Sequence, residues 1–246
     1  FSVCFILFWL IIFFLNNNIR INTILSTISL TVGLLLLETI LYALGYSDMT
    51  KLLHKSVSNY DTRTGLEVIN DFKKDGIDAV PNLSPTIALS YASKDLVPMG
   101  GISKKTVVAT NESGKYMVYK SDRYGFNNPD FEWENKTVDW LLVGDSYTQG
   151  LAVQKGEDIG GQIRKLLKQS VLNLGMAGNT PLIELGAIKE YAYLKKPKKV
   201  LWIYYEGNDL LPSESAKSKH KTLIQYLNIN FTQNLIKRQN EIDLYY

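Results

Sequence analysis

The stretch Val138-Asp139-Trp140-Leu141-Leu142-Val143-Gly144-Asp145-Ser146-Tyr147-Thr148-Gln149-Gly150 decides how the chain folds. Its apolar half has the length and the Val, Leu and Trp content of a buried strand, and it breaks without a spacer into Gly-Asp-Ser. A strand that delivers a serine to its C-terminal end puts that serine where open α/β sheets hold their ligands. Asp and Ser are equally the residues that cap a helix N-terminus, so the tripeptide by itself also reads as an ordinary strand-to-helix turn.

Two later stretches repeat the pattern. Val171-Leu172-Asn173-Leu174-Gly175-Met176-Ala177-Gly178-Asn179-Thr180 is an apolar run that breaks into a small-residue turn, and Val200-Leu201-Trp202-Ile203-Tyr204-Tyr205 breaks into Glu206-Gly207-Asn208-Asp209. Gly178 follows Ser146 by 32 residues and Asn208 follows Gly178 by 30, about one βα unit each time. Successive βα units present their turns on one edge of a parallel sheet, so the three turns are expected to converge. Between the strands, residues 156–168 have helical periodicity with Ile159, Ile163, Leu166 and Leu167 expected inward, and residues 181–194 form a second helix with Pro181 in its first turn.

Gly-Asp-Ser, a glycine turn and Gly-Asn-Asp, in that order and on those strands, resemble the first three blocks of the SGNH/GDSL hydrolases. The likeness spans residues 122–209, and the lead-in Asp122-Arg123-Tyr124-Gly125-Phe126 is similar to that of membrane-anchored members. The resemblance implies a flavodoxin-like three-layer parallel sheet over residues 136–246, incomplete at its C-terminus. It implies Ser146 as nucleophile, with the backbone N–H groups of Ser146 and Gly178 and the side-chain amide of Asn208 as oxyanion hole, and Asp145 and Asp209 supporting them. The chemistry agrees. A tetrahedral oxyanion needs fixed donors from several directions, a glycine lets backbone approach closely, and an Asn amide donates without bringing a charge.

A serine also needs a base, which the family takes from a late Asp-x-x-His block. The two histidines here, His54 and His220, follow Lys51 and Lys217 instead, so neither matches. The expectation is a chain that stops before that block, with Phe1 opening a partial or processed product, and that by itself shows little or no ester hydrolysis. Three function classes follow: a membrane-anchored serine esterase removing O-acyl groups from a surface glycan or lipid, an O-acyltransferase acting on a cell-surface polysaccharide, and a non-catalytic glycan-binding or assembly protein.

Composition narrows the partners. The 246 residues carry 27 Lys and Arg against 24 Asp and Glu, a net charge of +3 without a basic block, which gives nucleic-acid binding no support. The one cysteine, Cys4, cannot form an internal disulfide. No Cys/His set has metal-ligand spacing, and the Gly patterns of dinucleotide and P-loop sites are missing, so no cofactor and no metal are expected.

Apolar residues crowd into the first 45 positions. Residues 1–15 read as the end of a transmembrane helix, residues 16–20 as a polar turn and residues 21–45 as a full span, interrupted only by Glu38, a carboxylate near enough to the interface to snorkel. Residues 46–135 form a juxtamembrane linker and an irregular lead-in holding a β-hairpin of residues 106–110 and 115–120. Arg20 against Lys51, Lys55 and Arg63 leaves the orientation unsettled by charge, and the family resemblance implies an extracytoplasmic (periplasmic) domain. Expressed with residues 21–45, the protein is expected to sediment with membranes and to resist carbonate extraction; recovery in the carbonate supernatant would overturn the span.

Overall fold

The computed structural model describes residues 12–43, 60–91, 96–193, 195–207, 209 and 220–246. Cys4, His54, Asn208 and most of the first apolar segment lie outside the described residues. The chain divides into two compact units, residues 1–60 and 61–246.

The first unit contains α1 (Asn17–Ala43), a 27-residue helix with a mean hydropathy of 2.0 over its most apolar window and none of that window buried. Among the described residues it is one helix long and apolar enough to cross a membrane, at about 40 Å of axial rise. It begins four residues before the expected span, because the Asn16 side chain accepts from Asn18 N (3.0 Å) and caps what the sequence suggests is a turn. Thr23, Thr27, Thr31 and Thr39 each donate their hydroxyl to the carbonyl four residues back, which hides a polar group from an apolar surrounding. Glu38 lies exposed on this helix.

The second unit opens with more order than its prolines suggest. Thr64 and Glu67 form a capping box that starts α2 (Gly65–Lys74), and its Val68 and Ile69 pack on β1 (Ala79–Pro81). α3 (Pro85–Tyr91) follows. β1 pairs in parallel with β2 (Thr106–Val108), which pairs antiparallel with β3 (Val118–Lys120), so the expected hairpin forms inside a three-stranded sheet. Residues 61–91 and 96–134 thus hold helices and strands where irregular chain is expected. The overlooked signal is Thr64-Gly65-Leu66-Glu67, a capping box at residue spacing.

The second sheet contains β4 (Trp140–Gly144), β5 (Val171–Asn173) and β6 (Lys199–Ile203), all parallel in the order β5-β4-β6. Leu141, Leu142 and Val143 are at most 2% exposed, as expected of a central strand that is apolar on both faces. α4 (Ser146–Gln149) follows β4, α5 (Ile159–Leu167) leads to β5, and α6 (Pro181–Ala187) follows it with Pro181 at its start and runs on as a π-helical turn through Ala192. The core joins Leu141, Val143, Leu172, Ile183 and Tyr191 to Leu223, Tyr226, Leu235 and Ile242 of the C-terminal segment, which carries α7 (Lys221–Gln225) and α8 (Gln239–Tyr245). Glu190 holds that segment: its buried carboxylate accepts from Tyr226 Oη (2.6 Å), Gln233 N (2.5 Å) and Leu235 N (2.8 Å).

One expected core stripe is absent. Leu166 is 72% and Leu167 53% exposed, Ile159 sits at the edge of exposure and Ile163 is half-buried. α5 meets the sheet through Gly160, against Leu142, and through Arg164 one turn on, so its Ile159/Leu166 side turns outward.

Arg164 belongs to a device that closes the outer edge of β5. Glu132 Oε1 accepts from Val171 N (3.3 Å), and Arg164 Nη2 donates to Val171 O (2.8 Å). Asn128 takes both groups of the next outward residue, accepting from Asn173 N and donating to Asn173 O, each at 2.8 Å. Four backbone groups that would otherwise pair with another strand are satisfied by side chains. Asn128→Ala strips two of these partners and is expected to cost about 2–4 kcal/mol of unfolding free energy, read by denaturant titration. A midpoint unchanged from wild type would show that Asn128 does not anchor the edge.

Candidate active site

Ser146 sits where β4 gives way to α4. Gly144 makes the turn possible: its φ is +156°, and a Cβ there would stand 2.6 Å from the Ile203 carbonyl of β6, so no other residue fits beside that strand. Asp145 caps α4, its Oδ1 accepting from Tyr147 N at 2.9 Å, and Gly150 ends the helix in the left-handed region. Asp145 is therefore held by the turn while Ser146 is half-exposed at the first helical position. The Ser146 N–H and hydroxyl make no hydrogen bond among the described residues, so both are open to a ligand.

The turn after β5 lies against this one. Asn179 Nδ2 donates to Gly144 O (3.1 Å), and Ala177 N donates to Gln149 Oε1 (2.8 Å). Gly178 has φ +70°, and a Cβ on it would come within 2.8 Å of Thr86 Oγ1. The Ser146 and Gly178 segments are thus brought together, clamped by Asn179 and by the buried Gln149, whose Nε2 also donates to Asn82 Oδ1 (2.8 Å) and Tyr119 Oη (3.0 Å). Neither clamp had a signal in the sequence, since an Asn or Gln at a turn is ordinary there.

Asn208 lies outside the described residues. Its neighbours form a closed turn: Asp209 N donates to Tyr205 O (3.1 Å), and Tyr205 N donates to Asp209 Oδ2 (2.8 Å). Because Gly144 stands beside Ile203 in the β4–β6 register, that turn leaves the sheet at the same edge as Ser146. Tyr205 and Tyr147 make a tilted pair with ring centroids 5.0 Å apart, both rings exposed beside Ser146.

His220 precedes α7, half-buried, and its Nδ1 has no hydrogen-bond partner among the described residues. No described imidazole or carboxylate bonds to the Ser146 hydroxyl.

Glu184, on α6, is a titratable group the sequence did not single out. It is 2% exposed; its Oε2 accepts from Trp202 Nε1 (2.7 Å), and its Oε1 has no partner among the described residues. Burial, reinforced by the negative charges of Asp209 and Asp145, pushes its carboxyl up to about 7.

No family model matches the chain, and no curated protein matches it. Among solved structures the chain is similar to AlinE4, an SGNH-hydrolase family esterase, at 23% identity, over 46% of this chain and 70% of that one, with a TM-score of 0.28. At that TM-score the likeness carries no weight, and the site is read from its own geometry.

Folding raises the pKa of Glu184 from 4.5 toward 7, so the protonated acid is the form folding favours, and its contribution to stability is lost as pH rises from about 4.5 through 7. Thermal unfolding followed from pH 6 to 8 is expected to show falling stability, and Glu184→Gln, which mimics the neutral acid, to recover about 1–2 kcal/mol at pH 8 after allowance for solvent screening. Asp122, which burial pushes up to about 6, leaves a smaller slope of the same sign. A Gln variant as pH-sensitive as wild type would locate the effect elsewhere.

Proposed function

We propose that the chain carries the nucleophile and oxyanion donors of a membrane-anchored serine esterase of SGNH/GDSL type, acting on O-acyl esters. The observation that carries this reading is the pairing of an uncommitted Ser146 at a glycine-made turn with the Gly178 turn clamped against it by Asn179. In the reaction proposed, Ser146 Oγ attacks the ester carbonyl and forms an acyl-enzyme, the alkoxide leaves with a proton from the general base, and water releases the acid. The backbone N–H groups of Ser146 and Gly178, with the Asn208 amide, hold the oxyanion. Asp145 and Asp209 are positioning residues: each closes the turn that carries a neighbouring donor.

The base is proposed to come from outside the described residues. A surface glycan is the favoured acyl carrier, supported by the exposed Tyr147–Tyr205 pair, whose amphipathic faces suit a sugar ring better than a lipid chain. An O-acyltransferase would use the same serine and oxyanion donors with a sugar hydroxyl replacing water. α1 is proposed as the anchor, with the catalytic unit extracytoplasmic.

In a protein that includes the residue acting as base, Ser146→Ala is expected to abolish p-nitrophenyl acetate hydrolysis and labelling by a fluorophosphonate, because no acyl-enzyme can form. Asn208→Ala should lower kcat by about 10²–10³-fold with KM little changed, the signature of a donor used in the transition state. Hydrolysis that survives Ser146→Ala would overturn the reading, and loss of activity in His220→Asn would make that histidine the base.

A further inference from the structure

A concave site separate from the Ser146 turn lies between elements of the second unit. It is a cavity of about 770 Å³ between the end of β3, the 127–130 turn and the segment running into α5, and neither Ser146 nor Gly178 lines it. That volume falls within the range of sites for whole organic ligands and far exceeds the space one small inorganic ion needs.

Its lining holds more basic than acidic residues. Lys104, Lys120, Lys155 and Lys165 all line the cavity and make no ion pair among the described residues. The two carboxylates that share the wall are already engaged, Asp130 by Arg123 (2.8 Å) and Asp158 by Gly161 N (2.9 Å). Arg164 is likewise committed, to Glu132 Oε1 at 2.9 Å and to Val171 O at 2.8 Å. Four exposed lysines thus line one concavity against the two carboxylates, of which Arg123 neutralises Asp130, so positive charge is in excess there.

The backbone adds a second sign. Lys104 has φ +54°, a left-handed conformation that disfavours a side-chain-bearing residue. Its N–H donates to Asp122 O (3.1 Å), and the adjoining Ser121 Oγ donates to Ile102 O (2.7 Å), so the surrounding structure holds the strained turn that brings this lysine to the cavity.

We propose that this cavity binds a molecule carrying at least two phosphate groups. Lysines act as mobile point charges and serve phosphate oxygens well, whereas planar, bidentate recognition of carboxylates calls for arginine, and the one arginine here is spent within the fold. The site is independent of the esterase reading, and its wall touches the helix that carries Ser146. Asn127, in its wall, donates from Nδ2 to Gln149 O (2.9 Å) at the end of the Ser146 helix, and Asp158 packs on Gly150 just beyond.

The test is calorimetric titration of the full chain in detergent micelles with inorganic tripolyphosphate and, separately, with citrate. Tripolyphosphate is expected to bind at 50 mM salt, and citrate at least about tenfold more weakly. The double variant Lys155→Gln/Lys165→Gln is expected to weaken tripolyphosphate by about tenfold or more, while Lys155→Arg/Lys165→Arg retains it. Lys73→Gln/Lys74→Gln, which removes two charges from α2, should leave binding unchanged. Repeating the titration in nanodiscs with and without cardiolipin separates the sources: competition identifies a lipid headgroup, and its absence a soluble ligand. No binding, equal binding of citrate, or equal weakening by the α2 variant would each overturn the proposal. Circular dichroism of every variant separates lost binding from lost folding.

Discussion

The closure of β5 by side chains is the constraint on which the second unit depends. A parallel strand exposes backbone donors and acceptors on whichever side has no neighbour, and leaving those groups buried and unpaired costs more than the bonds themselves are worth. Asn128 solves this by imitating a strand residue, offering one amide oxygen and one amide nitrogen to Asn173. The imitation works only if Asn128 is itself held. Asp122 Oδ2 accepts from Asn128 Nδ2 (2.9 Å) and from Trp133 Nε1 (2.7 Å), and Asp122 Oδ1 accepts from Tyr124 N (2.8 Å) and Phe126 N (3.0 Å). Four donors on one fully buried carboxylate favour its charged form while burial opposes it, and burial is the stronger effect.

This arrangement explains why the lead-in matters to the site although it supplies none of the proposed catalytic groups. Residues 122–134 secure the edge of β5, and β5 in turn places the Gly178 turn against Ser146. The same segment lines the lysine cavity through Asn127, Asn128, Pro129 and Asp130. One loop therefore contributes to edge closure, to the position of a proposed oxyanion donor and to the wall of a second site. Buried polar networks of this kind specify one arrangement when every member is satisfied.

Glu184 is the contrasting case. Its carboxyl is buried with one oxygen bonded to Trp202 of β6 and two other carboxylates, Asp145 and Asp209, near enough to raise its proton affinity. Asp122 spends its burial on four bonds, whereas Glu184 gains one and keeps its proton to a higher pH.

By itself the sequence determined the β2–β3 hairpin, the three strands of the second sheet, their order along the chain and the turns that end them, because these are local properties: apolar run length, glycine at a tight turn, Asp before a helix. It determined the apolar helix for the same reason, missing only that Asn16 would cap it early. Tertiary structure decided the rest. That Gly144 must be glycine depends on a carbonyl of β6, which is 59 residues away at Ile203. That Leu166 and Leu167 face outward depends on α5 docking through Gly160 and Arg164, against the apolar periodicity. The clamps Asn179, Gln149 and Asn128 are ordinary polar residues in sequence, and their roles arise only when the fold brings an unsatisfied backbone group or a second turn within hydrogen-bond reach. Periodicity records which side chains avoid water, but not which buried polar groups will find each other across the sheet.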